Sequence, residues 1–261
     1  MGGTLSLITG AEGQLHLQAL LGNAAALQVM ATRSGEYSVF DDPLIAHIDS
    51  KTADGVTALM ICAAFDHIAA AKVLLLKGCN PNITDKFGSS ALIHAATAGH
   101  ASFVRLLLAA ESEAVNVNLE NAFGANALVS AAFCGQLEVV TILLEEGKSS
   151  TAPTVLTKTT ALHAAAYTGR LELVKLLLSK GVKDSHDSTG CSAFMLAELK
   201  EHTEIADLLR EVRKPPVERR LEDSNMGDLV DEDHNRNPES FLGRMRQPLK
   251  AGQWHDAVAD K

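Results

Sequence analysis

Residues Thr160–Gly181 read TALHAAAYTGRLELVKLLLSKG. Thr160 stands directly before an apolar run, where a side-chain oxygen satisfies the free N–H groups of a helix start. Ala165-Ala166 is a small pair that lets two helices approach closely. Gly169, eight residues after Ala161, breaks the run. A second apolar stretch ends in Leu176-Leu177-Leu178, and Gly181 follows three residues later. Glycine stops helices there because it enters the left-handed cap region cheaply. The stretch predicts helix, tight turn, helix, stop.

The same order recurs along the chain. Thr57-Ala58-Leu59-Met60, Ser90-Ala91-Leu92-Ile93, Asn126-Ala127-Leu128-Val129, Thr160-Ala161-Leu162-His163 and Ser192-Ala193-Phe194-Met195 have alanines 33, 36, 34 and 32 residues apart. Each opens with a residue type that caps helices. Small pairs follow at Cys62-Ala63, Ala95-Ala96, Ala131-Ala132 and Ala165-Ala166. Eight residues after each alanine comes a break: Asp66, Gly99, Gly135, Gly169 and Glu201. Second helices end in Val73-Leu74-Leu75, Leu106-Leu107-Leu108, Ile142-Leu143-Leu144 and Leu176-Leu177-Leu178, with Gly78, Glu111, Gly147 and Gly181 three residues beyond. Such a period is the mark of stacked repeats.

The unit resembles the ankyrin repeat: a Thr-Pro-Leu-His-like tetrapeptide, an alanine pair, a glycine turn and a leucine triplet. Gly78-Cys79-Asn80-Pro81-Asn82-Ile83-Thr84-Asp85 is similar to that family's hairpin segment, and Asn118 precedes Gly124 by six residues as Asn82 precedes Gly88. Alanine replaces the usual proline throughout, and only the Thr160 tetrapeptide keeps the histidine. The loop after Glu111 is about three residues longer, through Val115-Asn116-Val117, and the Ser149–Lys158 loop lacks the Asn and Asp of a regular hairpin. The resemblance covers 13–212 and implies an all-α, ankyrin-like α-solenoid of helix-turn-helix repeats joined by hairpin loops.

The expected division is a degenerate N-terminal capping repeat with an insertion over 13–54, repeats over 55–87, 88–123, 124–157 and 158–189, and a C-terminal capping repeat over 190–213. Charges at Glu198 and Arg210, on otherwise apolar positions, suit a cap whose outer face meets water. From 214 to 261 only 8 of 48 residues are Leu, Ile, Val or Phe, with 8 Lys+Arg against 10 Asp+Glu. That composition is too poor in apolar residues to build a core, and a disordered tail is expected.

Gly147-Lys148-Ser149 resembles the end of a phosphate-binding loop, but the second glycine required five residues earlier is Ile142. The loop must also open a helix, whereas Gly147 follows one; it is loop punctuation, and no nucleotide is expected. The net charge of −9 argues against a nucleic-acid partner. Cysteines at 62, 79, 134 and 191 form no CxxC pair, so reduced intracellular thiols are expected. No apolar run spans a bilayer, no basic leader opens the chain, and a cytoplasmic place is expected, with the nucleus left open.

What the family resemblance implies for function is binding of another protein on the concave face of the repeats, through hairpin tips and the inner, first helices. Carried over position by position, Phe65, Phe87, Phe123, Phe133 and Tyr167 fall along one such face, with Lys86 as a polar rim residue. Aromatics are favoured interface anchors, yet each ring can instead pack over its neighbouring repeat. The expected role is a non-catalytic adaptor or scaffold; the alternative is a regulatory or substrate-presenting subunit of an enzyme complex, with recognition by the tail. No acid–base pair, nucleophile–base pair or ligand cluster recurs at sensible spacing, so no catalytic residue, cofactor or metal is expected. His94 and His163 are read as structural hydrogen bonders, Cys62 as an inert core thiol, and Cys134, near a turn, as lacking a basic neighbour. Asn82 and Asn118 match a position that some ankyrin proteins have hydroxylated, although a hairpin-stabilising role suffices. Met1-Gly2-Gly3-Thr4-Leu5-Ser6 fits the myristoylation pattern at Gly2, and only that modification would add a membrane partner.

Overall fold

A computed structural model describes residues 11–32, 48–110, 115–147 and 149–213. Gly2, the insertion expected in the first unit, residues 111–114 at the start of the lengthened loop, Lys148 and the tail from Lys214 lie outside the described residues.

The described residues form twelve helices in six pairs. They are α1 (Ala11–Leu20) with α2 (Ala24–Thr32), α3 (Ala58–Ala64) with α4 (Ile68–Leu76), α5 (Ala91–Ala98) with α6 (Ala101–Leu108), α7 (Ala127–Cys134) with α8 (Leu137–Glu145), α9 (Ala161–Tyr167) with α10 (Leu171–Ser179), and α11 (Ala193–Leu199) with α12 (Thr203–Arg213). The first helices α1, α3, α5, α7, α9 and α11 pack in sequence order as one layer, and each leans on its own second helix. Each is short because cap and break lie close together.

The five tetrapeptides start helices in the expected way. Thr57, Ser90, Asn126, Thr160 and Ser192 are extended N-caps whose side chains accept from the N–H of the third residue onward. Each such cap stabilises by about 1 kcal/mol. The breaks share a left-handed backbone: Asp66, Gly99, Gly135, Gly169 and Glu201 have φ of 58°, 85°, 80°, 71° and 59°. Asp66 and Glu201 adopt without glycine what the other three adopt with it, so the turn is imposed by the flanking helices. Gly147 departs from the expected series. Gly78 and Gly181 are left-handed, at φ 82° and 80°, but Gly147 is not. A side chain at Gly147 would sit 3.0 Å from Leu143 O of its own unit and 3.2 Å from Leu108 Cδ1 of the preceding one, so the glycine stands in a tight space.

The small pairs lie where the first helices meet: Cys62, Ala63, Ala95, Ala96, Ala131, Ala132, Ala165 and Ala166 are all fully buried. Larger side chains, with Phe103, Leu107 and Leu143 fully covered, fill the space between the layers. The last unit closes with charge: Arg210 pairs with Glu198 at 3.1 Å and Asp207 at 2.8 Å. The Arg210 and Arg213 guanidinium groups lie over the Phe194 ring, 5.4 and 5.3 Å from its centre.

Candidate partner-binding surface

The hairpin loops are built on one polar side chain each. One Asp85 carboxylate oxygen accepts from the N–H groups of Phe87 and Ser89, both at 2.9 Å. Asn121 Oδ1 accepts from Phe123 and Ala125, both at 3.0 Å. Asp187 does the same for Thr189 and Cys191. A short side chain that bonds backbone two residues on folds the loop as an Asx turn. Tips are then tied to each other: Lys86 N donates to Asp54 O at 2.9 Å, Ala122 N to Phe87 O at 2.8 Å, and Ser188 N to Thr157 O at 2.8 Å.

This ladder sets Phe87 and Phe123 at the same height, and their rings stack 6.1 Å apart. Both are half-buried, and neither packs against the core. Lys86 is exposed, 2.6 Å from Asp54 Oδ1 and 5.0 Å above the Phe87 ring. Phe133 and Tyr167 form a second pair, 6.2 Å apart, where α7 and α9 end. They are packed differently. Tyr167 is only 6% exposed, clustered with Cys191 and Leu196, and Lys200 Nζ lies 4.8 Å from its centre. Phe65 stacks on His67 and packs against the core. The five aromatics thus make two stacked pairs and a single ring, and Tyr167 presents little surface because the next unit covers it.

Asn82 and Asn118 bridge successive loops. Asn82 Oδ1 accepts from Asn116 N at 2.7 Å, and Asn118 Oδ1 from Ser150 N at 2.8 Å. Asp49, six residues before Gly55, accepts from Asn80 N in the same way.

The Ser149–Lys158 loop is irregular, as its composition suggests. Thr154 stands where Asp85 and Asn121 stand, and its hydroxyl accepts from Thr159 N at 3.2 Å. The turn is one residue longer: Lys158 N donates to Thr154 O, whereas Gly88 N donates to Asp85 O. Lys158 holds the left-handed backbone, φ 54°, that glycines hold at 55, 88, 124 and 190. No N–H of this tip reaches Phe123 O. Instead, the Glu120 carboxylate accepts from Val155 N at 2.6 Å and Leu156 N at 3.2 Å. Val155 and Leu156 project from the tip, 89% and 60% exposed. These residues were not singled out from sequence; two adjacent apolar residues inside a polar loop, just before the repeat's glycine position, were the available signal.

The other singled-out residues have structural partners. His163 is fully buried, with Nδ1 accepting from Thr160 N at 3.2 Å and Nε2 donating to Cys191 O at 3.2 Å. Burial holds its pKa below the usual histidine value, against the pull of Asp187 and Asp184. His94 Nε2 lies 3.0 Å from Asp85 Oδ2. Cys62 is buried and its pKa is pushed up to about 12. Cys134 does have a basic neighbour, contrary to expectation: Arg170 lowers its pKa, but burial outweighs this and the net shift is upward. The N–H groups of Gly147, Ser149 and Ser150 donate to Ile142 O, Leu143 O and Asn118 Oδ1. Among the described residues no cluster of His, Cys, Asp or Glu could hold a metal ion, and no helix is long and apolar enough to cross a membrane.

The family model for ankyrin repeats matches residues 59–154 and 148–217, in three copies. The crystal structure of EF0377, an ankyrin repeat protein, is similar with a TM-score of 0.62 and 26% identity, over 76% of this chain and 97% of that one. No curated protein sequence matches significantly.

Proposed function

Because the chain belongs to the ankyrin repeat family, whose repeats are generally protein–protein interaction modules and typically non-enzymatic, we propose that it is an adaptor or scaffold. In this reading it binds a partner protein through its hairpin tips and first helices, with unit boundaries at 55, 88, 124, 158 and 190. The observation that carries the reading is the Phe87–Phe123 stack, two half-buried rings held by backbone ties between tips and left out of the core. Rigid aromatic surface supplies contact area at low conformational cost.

Affinity capture from cells of the source organism, with the wild-type chain and a Phe87→Ser/Phe123→Ser variant as baits, tests this. Loss of a specific partner with little change in melting temperature supports the reading. Equal capture by both baits removes the stack from the interface. A large fall in melting temperature makes the rings structural.

A further inference from the structure

The tip at Thr154–Thr159 differs from its neighbours in three linked ways. Its extra residue raises Val155 and Leu156 into solvent, and neither packs against the core. Glu120 fixes both their N–H groups, so this apolar pair is held in place before any partner arrives. Pre-organised contacts avoid the ordering cost of binding. Third, Lys158 occupies a left-handed backbone that glycine occupies in the equivalent tips. A long side chain is disfavoured there, although Asp66 and Glu201 hold the same backbone at the inter-helix turns. The loop's own bond from Lys158 N to Thr154 O holds this backbone, while the side chain is exposed and its ammonium group has no hydrogen bond or ion pair among the described residues.

Leu156 lies against Gly124, since a side chain on that glycine would come within 3.1 Å of Leu156 Cβ. Leu156 thus stands beside the residue that follows Phe123 in the chain, next to the Phe87–Phe123 stack. At the Phe87 end the cation is already matched, Lys86 against Asp54. At the Val155 end, Lys158 has no matching carboxylate among the described residues, on a chain of net charge −9. We propose that Val155, Leu156 and Lys158 set the specificity of this surface, and that its occupant is a partner-protein segment bearing a bulky apolar side chain next to a carboxylate. Val155 and Leu156 take the apolar group, and Lys158 takes the carboxylate. This rests on the protein-binding role proposed above.

The test uses short random peptides displayed on phage and selected on the full-length chain. Enriched peptides are then synthesised and titrated against wild type, Lys158→Met, Lys158→Gly and Leu156→Ser. The expected result is enrichment of Asp or Glu beside Leu, Ile, Val or Phe, with affinity falling about tenfold in Lys158→Met, as for a lost charge-assisted hydrogen bond. Leu156→Ser should weaken binding as well, and Lys158→Gly, which relieves strain, guards against a folding artefact. Absence of enrichment, enrichment without acidic residues, or equal affinity for Lys158→Met overturns the proposal. Any of these together with partner capture lost in Phe87→Ser/Phe123→Ser leaves the protein-binding role standing. The chain's own Asp228-Leu229-Val230-Asp231 has the same chemistry. Tighter peptide binding by a full-length Leu229→Ser/Val230→Ser variant would make that segment the occupant and overturn a partner in trans. A dimer abolished by Leu156→Ser would assign the surface to a second copy.

Discussion

The tips at 85–89 and 121–125 and the tip at 154–159 solve the same problem with different chemistry. In the first two, one carboxylate or amide folds its own loop, and a backbone bond ties each tip to the one before. In the third, a threonine hydroxyl folds a longer loop, and a glutamate borrowed from the preceding hairpin replaces the backbone tie. The regular tips are ordered by their own sequence. The irregular tip depends on a residue more than thirty positions away, and two of the buried hydroxyls without a partner, those of Ser149 and Thr159, lie beside it. A repeat therefore tolerates a poorer local solution where a neighbour supplies the missing acceptor. The freedom gained appears at the surface, as Val155, Leu156 and Lys158.

Breaking the regular solution has the largest expected effect. Asp85 is buried, 7% exposed, and its removal strands two backbone N–H groups and His94. Asp85→Ala should cost about 3 kcal/mol, from the desolvation of several unpaired polar groups. Thr154→Val, which leaves the Thr159 N–H unpaired and takes one partner from the Thr157 hydroxyl, should cost roughly half of that. Urea unfolding of both variants measures the ratio; equal losses would erase the distinction between the tips.

Next comes the backbone. Gly88 has φ 76°, and a side chain there would sit 2.9 Å from Ala122 N. Gly88→Ala should destabilise by about 2 kcal/mol, through left-handed strain and a backbone clash that breaks the tie to the next tip. A thermal melt within error of wild type would show that the tips separate freely.

Acid sharpens the comparison on the irregular side. Thr160, which follows that tip directly, donates its N–H to His163 Nδ1, an acceptor only while the ring is neutral. Burial depresses the His163 pKa, so below about pH 6.5, the ordinary histidine value, the unfolded chain binds a proton that the folded chain refuses. Stability contributed by the neutral ring is complete above that pH and declines as pH falls. His163→Gln should flatten the decline. An unchanged slope in urea unfolding across that range would assign it to other groups.

What was legible in the sequence follows the same division. Caps, small pairs and left-handed turns were readable because each rests on the preference of one residue for one local conformation, as at Thr57, Ala95-Ala96 and Gly169. Burial of the aromatics was not. Phe133 and Tyr167 occupy equivalent places before a turn, yet Tyr167 is covered by Cys191, Leu196 and Lys200 from the next unit. Gly147 shows the same limit: it lacks the left-handed backbone, and its space is narrowed by Leu143 O and by Leu108 of the preceding unit. The glutamate that holds Val155 and Leu156 carries no local signature at all. Lys158 stands in register with the tip glycines, three residues before Ala161, but a lysine gives no local sign that it takes their left-handed backbone.

The smallest effects separate strain from support at the irregular tip. Lys158→Gly should raise stability by about 1 kcal/mol, because glycine adopts this backbone without the side-chain penalty. Its sign is opposite to that of Gly88→Ala at the equivalent position. Glu120→Gln should change global stability by less than about 0.5 kcal/mol, since its contacts are exposed and a neutral amide oxygen still accepts. Its effect belongs instead in the local exchange of two protons. The N–H groups of Val155 and Leu156 lose a charged acceptor, so both should exchange with deuterium several-fold faster, while Phe87 and Phe123, held by Asp85 and Asn121, stay unchanged. Uniform acceleration across all four would mean that the borrowed carboxylate supports the whole stack. Acceleration confined to Val155 and Leu156 would mean that each tip is an independent loop, whose surface can vary without disturbing its neighbours.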